Sequence, residues 1–261
     1  MEYIAVTLAA LVVAGMALYS GFGLGTLLMP VFAIFFPVPT AVASTAVVHL
    51  ANNVFRIGFV GRRADWRVAL LFGLPGAAAA VVGALLLTWV SDVTALASYS
   101  IGGREFEVTV VKLVVAALIA VFAVLELTPA LSGWKLGRRY IPVGGAISGF
   151  FGGLSGHQGA LRSAFLAGAG LGSAAFVGTA SIAAFMVDVS RLAVYGAGPL
   201  RESFTTAGGG NWGVVGAATA AAFVGTYMSS RFLKKVTIGA IRRLVGVLLA
   251  LLAVALASGL V

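Results

Sequence analysis

Apolar residues run along this chain in long stretches separated by short, charged connections. Eight such runs occupy roughly 4–20, 40–60, 68–90, 110–127, 140–154, 174–197, 208–229 and 238–258. Most approach the roughly 20 residues that carry a helix across hydrocarbon, while 4–20 and 140–154 are short. Two further apolar segments are shorter still. One spans residues 21–36, opening Ser20-Gly21-Phe22-Gly23-Leu24-Gly25 and closing on Pro37-Val38-Pro39. The other spans 155–171 and opens Ser155-Gly156-His157-Gln158-Gly159. At about 1.5 Å of rise per residue neither crosses about 30 Å of hydrocarbon comfortably. The pattern predicts broken or half-length helices at both places. Glu2 followed directly by an apolar run lacks the basic opening of a cleaved signal, so residues 4–20 read as the first spanning helix.

The two unusual segments fall at corresponding places. Ser20-Gly21 aligns with Ser155-Gly156 at an offset of 135 residues, and the same offset lays Asn53-Val54-Phe55-Arg56 on Asp188-Val189-Ser190-Arg191. Within one residue of that period, Ser44-Thr45 falls near Thr179. An internal duplication follows, residues 1–130 against 140–261, folded together as a single membrane domain. Loop charge tests the relation between the halves. The connection 56–67 carries Arg56, Arg62, Arg63 and Arg67, whereas its counterpart 191–207 carries only Arg191 and Arg201 against Glu202. The connection 91–109 is acidic and its counterpart 231–243 is basic. Opposite bias at equivalent loops places them on opposite sides of the bilayer. Each half then crosses an odd number of times, with about five segments apiece and both termini outside. The expected fold is an all-α polytopic membrane protein of two inverted repeats.

Composition reinforces the membrane reading. The 261 residues are 61% hydrophobic and 10% charged, with a net charge of +9, and the mean hydropathy is +1.08. Soluble domains carry about 25% charged residues. The basic excess sits mostly in short loops, which argues for topology and against nucleic acid. No cysteine is present, which removes disulfides, thiol chemistry and cysteine-based metal sites. No cofactor is expected.

Inverted repeats with interrupted helices at matching positions mark transporters, whose substrate sites lie near the midplane. Polar residues inside spans are costly and usually face the interior. Here they gather around the two short segments: Ser20, Ser44, Thr45, His49, Asn52 and Asn53 in the first half, and Ser155, His157, Gln158, Arg162, Ser163, Thr179, Ser181 and Asp188 in the second. Arg162 stands out, because it lies at membrane depth with no carboxylate within one helical turn. Such a guanidinium needs an anion, either a carboxylate from another helix or a ligand, and its planar fork suits bidentate contact with oxyanions. The glycine turns add helix N-termini whose free N–H groups attract anions. Gly21, Gly23, Gly25, Gly156 and Gly159 allow the backbone close to a bound ion, although glycine in a membrane helix also serves simple packing. Asp188 and His157 are the candidate proton-coupling groups. Asp188 and Arg191, three apart, equally suit an ion pair within one helix. Arg56 and Arg191 sit near span ends, where snorkelling to the interface is the simpler reading and secondary site charge the other. His49, isolated in an apolar helix, reads as a structural hydrogen-bonder.

Gly152-Gly153-Leu154-Ser155-Gly156-His157-Gln158-Gly159-Ala160-Leu161-Arg162-Ser163 resembles the second-repeat motif of the TauE/SafE (sulfite exporter) family. Gly21-Phe22-Gly23-Leu24-Gly25-Thr26-Leu27-Leu28-Met29-Pro30 is similar to that family's glycine-rich opening, and Val187-Asp188-Val189-Ser190-Arg191 fits as well. The resemblance implies a permease for sulfite, thiosulfate, sulfonates such as sulfoacetate, or related organic anions, coupled to the proton gradient. It places the protein in a bacterial or archaeal cytoplasmic membrane. The commoner second-repeat pattern ends a glycine run in proline; here His157, Gln158 and Arg162 occupy that region.

The expected partners are a small anionic substrate and the lipid bilayer, with a homodimer left open. A passive anion channel or small-solute pore is the alternative, although the Asn-Pro-Ala signatures of aquaporin-like pores are absent. An enzyme is not expected. Gly153-Leu154-Ser155-Gly156 has the Gly-x-Ser-Gly form of rhomboid proteases, but their chemistry needs a histidine base on a later helix. The only histidine after Ser155 is His157, in the same turn.

Overall fold

The computed structural model describes residues 1–20, 23–93, 95–128, 137–197, 211–232 and 238–261. Ten α-helices lie in two runs of five among these residues, with short 3-10 turns at Gly61–Arg63 and Arg138–Tyr140. The first run is α1 (Glu2–Ser20), α2 (Leu24–Phe35), α3 (Val38–Val60), α4 (Trp66–Ser91) and α5 (Val110–Leu127). The second is α6 (Ile141–Ser155), α7 (Gly159–Ala167), α8 (Ser173–Ala197), α9 (Asn211–Phe232) and α10 (Ile238–Ala257). In both runs the second helix is the short one, with 12 residues in α2 and 9 in α7. Both short elements expected at 21–36 and 155–171 are therefore present as helices. At 1.5 Å per residue they are about 18 and about 14 Å long.

Local chemistry sets the boundaries. Pro37 and Pro39 open α3, because the fixed φ of proline suits a first helical turn, where its missing N–H costs nothing. Asp65 caps α4 by accepting from the Val68 amide at 3.1 Å, and Thr109 caps α5 through the Lys112 amide at 3.3 Å. Between α4 and α5 the acidic connection is not a plain loop. It forms an antiparallel hairpin of β1 (Ala95–Ile101) and β2 (Arg104–Thr109). Gly102 and Gly103 make its tip at φ of 61° and 79°, the backbone that two-residue hairpin turns demand. The Gly-Gly pair between alternating residues was the available signal. Tyr99 donates to the Ser258 carbonyl, tying the hairpin to the end of α10, and Lys112 Nζ bonds the Glu107 carbonyl at 2.9 Å and the Gly259 carbonyl at 3.4 Å.

Helices α4, α5 and α8 are long and apolar enough to cross a membrane, and α1, α2 and α10 hold shorter apolar stretches. Leu85, Trp89, Val121, Leu251 and Val254 are exposed on the outer surface, where lipid is the matching solvent. Inside, α1 packs on α9, α4 on α6 and α8, α3 on α8 and α9, and α5 on α10.

Glycine lets the closest pair approach. Gly145, Gly149 and Gly153 recur every fourth residue on α6, and each faces the α4 backbone, at Phe72, Gly76 and Ala80 respectively. Without an apolar driving force in lipid, such small-residue seams supply the packing contact. Gly149→Val should therefore separate α4 from α6. We expect a cost on the order of 3 kcal/mol, read as lost monodisperse protein in gel filtration. Gly58→Ala, where nothing lies within 4 Å, should leave the profile unchanged.

Candidate functional site: a buried cationic centre between two broken helices

The site starts from a backbone requirement. Helix α6 ends at Gly156, whose φ of 80° is left-handed and whose amide bonds the Gly152 carbonyl. Glycine adopts that conformation without penalty. The chain then turns through His157 and Gln158, both 1% exposed, and restarts as α7 at Gly159. Ser148 Oγ pins the turn by donating to the Gln158 carbonyl at 2.9 Å.

The start of α2 lies directly against this turn. A Cβ at Gly23 would meet Gly159 Cα at 3.0 Å, and one at Gly25 would meet the Gly156 carbonyl oxygen at 3.1 Å. The two glycine-rich starts thus touch, which needs hydrogen at both positions. Gly21 lies outside the described residues, as does the side chain of Ser20; the backbone of Ser20 ends α1.

Asp188, fully buried on α8, is the hub. Its carboxylate accepts from His49 Nδ1 at 2.6 Å, Asn53 Nδ2 at 3.0 Å and Gln158 Nε2 at 3.0 Å. Arg191 adds Nη2 at 2.8 Å and Nε at 3.1 Å. The remaining Arg191 nitrogen, Nη1, reaches the Gly152 carbonyl at 2.9 Å, and Tyr195 donates its hydroxyl to the Gly153 carbonyl. Arg191 is therefore 0% exposed. Snorkelling does not describe it, nor Arg56, which is 7% exposed. Both are held inside because the helices pack over the positions that a linear reading assigns to span ends.

Arg162 has no such satisfaction. It is 3% exposed, and its Nε and Nη1 have no hydrogen-bonding partner. Asp188 is already engaged by five donors from four residues and forms no ion pair with it among the described residues. A Cβ on Gly23 would lie 3.7 Å from Arg162 Nη2, so the guanidinium sits at the start of α2. On the other side of that turn, Thr45 and His49 flank Gly25, 3.7 and 3.9 Å from where its Cβ would be. Thr26 Oγ1, Thr45 Oγ1 and His49 Nε2 are all buried without partners. Arg56 Nε is likewise unpartnered, and its charge interacts with that of Arg162. The centre thus combines surplus positive charge with unengaged hydroxyl and imidazole groups, a set that suits an oxyanion.

Other expected site residues are engaged elsewhere. Thr179 Oγ1 accepts from the Asp65 amide at 2.9 Å, and nine residues of helix put it about 13 Å from Asp188. Asn52 Oδ1 accepts from Thr226 at 2.8 Å, linking α3 to α9. Ser155 Oγ returns to the Phe151 carbonyl at 3.1 Å. His157 donates Nδ1 to the Ser155 carbonyl at 2.8 Å, and its ring stacks on Phe122 at 5.5 Å between centroids. Its Nε2 is unpartnered. His49, expected as a structural hydrogen-bonder, does bond Asp188 and also leaves Nε2 open in the centre, where Thr26, not chosen from the sequence, lies as well. The available signal was spacing, since Thr45, His49 and Asn53 repeat every fourth residue on one face of α3. Among the described residues, no group of three His, Cys, Asp or Glu side chains is placed to hold a metal ion.

Long apolar helices wrapped around a buried charged centre define a multi-pass membrane protein. The model of the sulfite exporter TauE/SafE family matches residues 3–256, nearly the whole chain, and the chain belongs to that family. Its members are membrane transporters of sulfite-like anions. Comparison with curated proteins and with solved structures gives no match.

Proposed function

We propose that this protein is a proton-coupled secondary transporter of a small, sulfur-containing oxyanion such as sulfite, thiosulfate or a sulfonate. It acts in the cytoplasmic membrane of a bacterium or archaeon. The observation that carries this reading is Arg162, a buried guanidinium whose Nε and Nη1 have no hydrogen-bonding partner, at the junction of two broken helices. Holding such a charge in a nonpolar interior is expensive unless a ligand compensates it. The unpartnered hydroxyls of Thr26, in the first turn of α2, and of Thr45, which borders Gly25, suit the remaining oxygens of a tetrahedral or pyramidal anion.

Alternating access is the corresponding mechanism, with two inverted halves rocking about the site. Reciprocal packing supports that arrangement. If α1–α5 correspond to α6–α10, the pair α1 with α9 matches α6 with α4, and α3 with α9 matches α8 with α4. Asn53 and Asp188, which occupy equivalent positions 135 residues apart, hydrogen-bond each other. Equivalent residues meet in this way where a two-fold axis passes between them.

A thermal-shift and calorimetric panel on purified protein tests the substrate class, using sulfite, thiosulfate, sulfoacetate, sulfate, taurine and lactate. Ligand at about 100 times Kd stabilises by about 2.7 kcal/mol, which raises Tm by several degrees. Sulfur oxyanions should do this, and their flux in proteoliposomes should saturate and collapse with the pH gradient. A shift with lactate alone would overturn the sulfur assignment; non-saturating conductance would overturn the carrier.

A further inference from the structure

We propose that His49 is the proton carrier of this centre, binding the anion through Nε2 only when the imidazole is protonated. The inference rests on the oxyanion reading above and assigns its coupling to a residue outside the glycine turn. The bonding around His49 fixes its tautomer. Asp188 is an ionised acceptor already taking two bonds from Arg191 and one from Gln158. Nδ1, at 2.6 Å from Asp188 Oδ2, must therefore donate to it. Asn53 Nδ2, 3.0 Å from both Oδ2 and Nδ1, gives its proton to the carboxylate.

With Nδ1–H committed, neutral His49 presents a bare acceptor at Nε2, buried and without a partner. An oxyanion beside it would face lone pair against lone pair. Protonation at Nε2 turns that contact into a charge-assisted hydrogen bond, while Asp188 stabilises the imidazolium from the other side. The ring is also correctly located, because it borders Gly25 in the first turn of α2, and Arg162 borders Gly23 in the same turn.

The charged groups acting on the ring are Asp188 and Arg191 from α8 and Arg162 from α7. Helix α2 contains no titratable residue, and those of α9, Tyr227 and Arg231, are exposed. A bound anion offsets the positive charge that Arg162 and Arg191 place around the ring. Anion and proton thus each raise the other's affinity, a reciprocity that linkage requires. The proton comes from the aqueous side to which the site is open and leaves with the anion.

The chain has two histidines, so selective 15N-histidine labelling gives a direct readout in the wild-type protein. Thiosulfate is the probe, because it stays fully ionised between about pH 5 and 8 and any proton taken up belongs to the protein. On adding thiosulfate near pH 7, the His49 signals should change from a neutral Nδ1–H imidazole to a doubly protonated one. Calorimetry in two buffers of different ionisation enthalpy should show net proton uptake. His49→Asn keeps a donor for Asp188 and removes the titration. It should bind thiosulfate about tenfold or more weakly at pH 5.5, as loss of one charge-assisted bond implies, with no proton uptake. Thiosulfate binding that leaves His49 neutral overturns this assignment alone, as does unchanged uptake in His49→Asn. Failure of the wild type to bind any sulfur oxyanion removes the oxyanion reading and this inference together.

Discussion

Arg162→Ala should abolish oxyanion binding while leaving a folded, inserted protein. Hydrogen bonds to charged groups are worth about 1.5–3 kcal/mol each, so losing a bidentate pair weakens binding roughly a hundredfold or more. Folding should not suffer in the same measure. The Arg162 Nε and Nη1 groups have no protein partner, so truncation strands no donor or acceptor on those atoms. It also removes a buried cation whose desolvation disfavours the fold. The Tm of the ligand-free variant should equal or exceed that of the wild type. Arg162→Lys keeps the charge but loses the planar fork, so it should still bind much more weakly. Calorimetry with sulfite and thiosulfate on all three proteins checks this. Full affinity in the alanine variant would sink the site.

Asp188→Ala should do the reverse, damaging the structure itself. Five hydrogen bonds converge on this carboxylate from α3, the turn before α7, and α8. Its removal leaves the Arg191 cation buried without its counter-charge and strands donors on His49, Asn53 and Gln158. Breaking a buried pair in this way costs about 3–5 kcal/mol, against a total stability of about 5–15 kcal/mol. Thermal unfolding in detergent should fall by roughly ten degrees, at about 2–4 °C per kcal/mol for a chain of this size. Asp188→Ala combined with Arg191→Leu should recover part of the loss, because the orphaned charge goes too. A single Asp188→Ala variant as stable as the wild type would show that the hub does not hold the helices together. The two substitutions therefore separate the roles: Arg162 waits for a ligand, and Asp188 organises the protein around it.

Much of this arrangement was legible in the linear order. The 135-residue period lays Asn53 on Asp188 as equivalent positions, and the structure adds that the two side chains hydrogen-bond each other. Arg162 was identifiable because a lone guanidinium in a Gly-, Ala- and Leu-rich stretch has no local explanation. Arg191 was harder to read. Its distance along the chain suggested a span end, yet it is sealed under Gly152 and Asp188. His49 was legible as a hydrogen-bonder but its partner was not: Asp188 is 139 residues away, and helical spacing shows which residues share a face but not what faces them. Thr179 and Asn52 carried polar groups of the right kind and depth, but Asp65 and Thr226 engage them.

The sequence by itself determined the solvent, the apolar helical runs, the two glycine breaks and the presence of an arginine inside a Gly-, Ala- and Leu-rich stretch. Each of these depends on local composition and on the helical rise, which neighbours in the chain already set. Only the tertiary structure decided which polar groups are satisfied and which are left open. That distinction arises where helices α2, α3, α7 and α8 converge, because whether a buried donor is structural or functional depends on acceptors more than a hundred residues away.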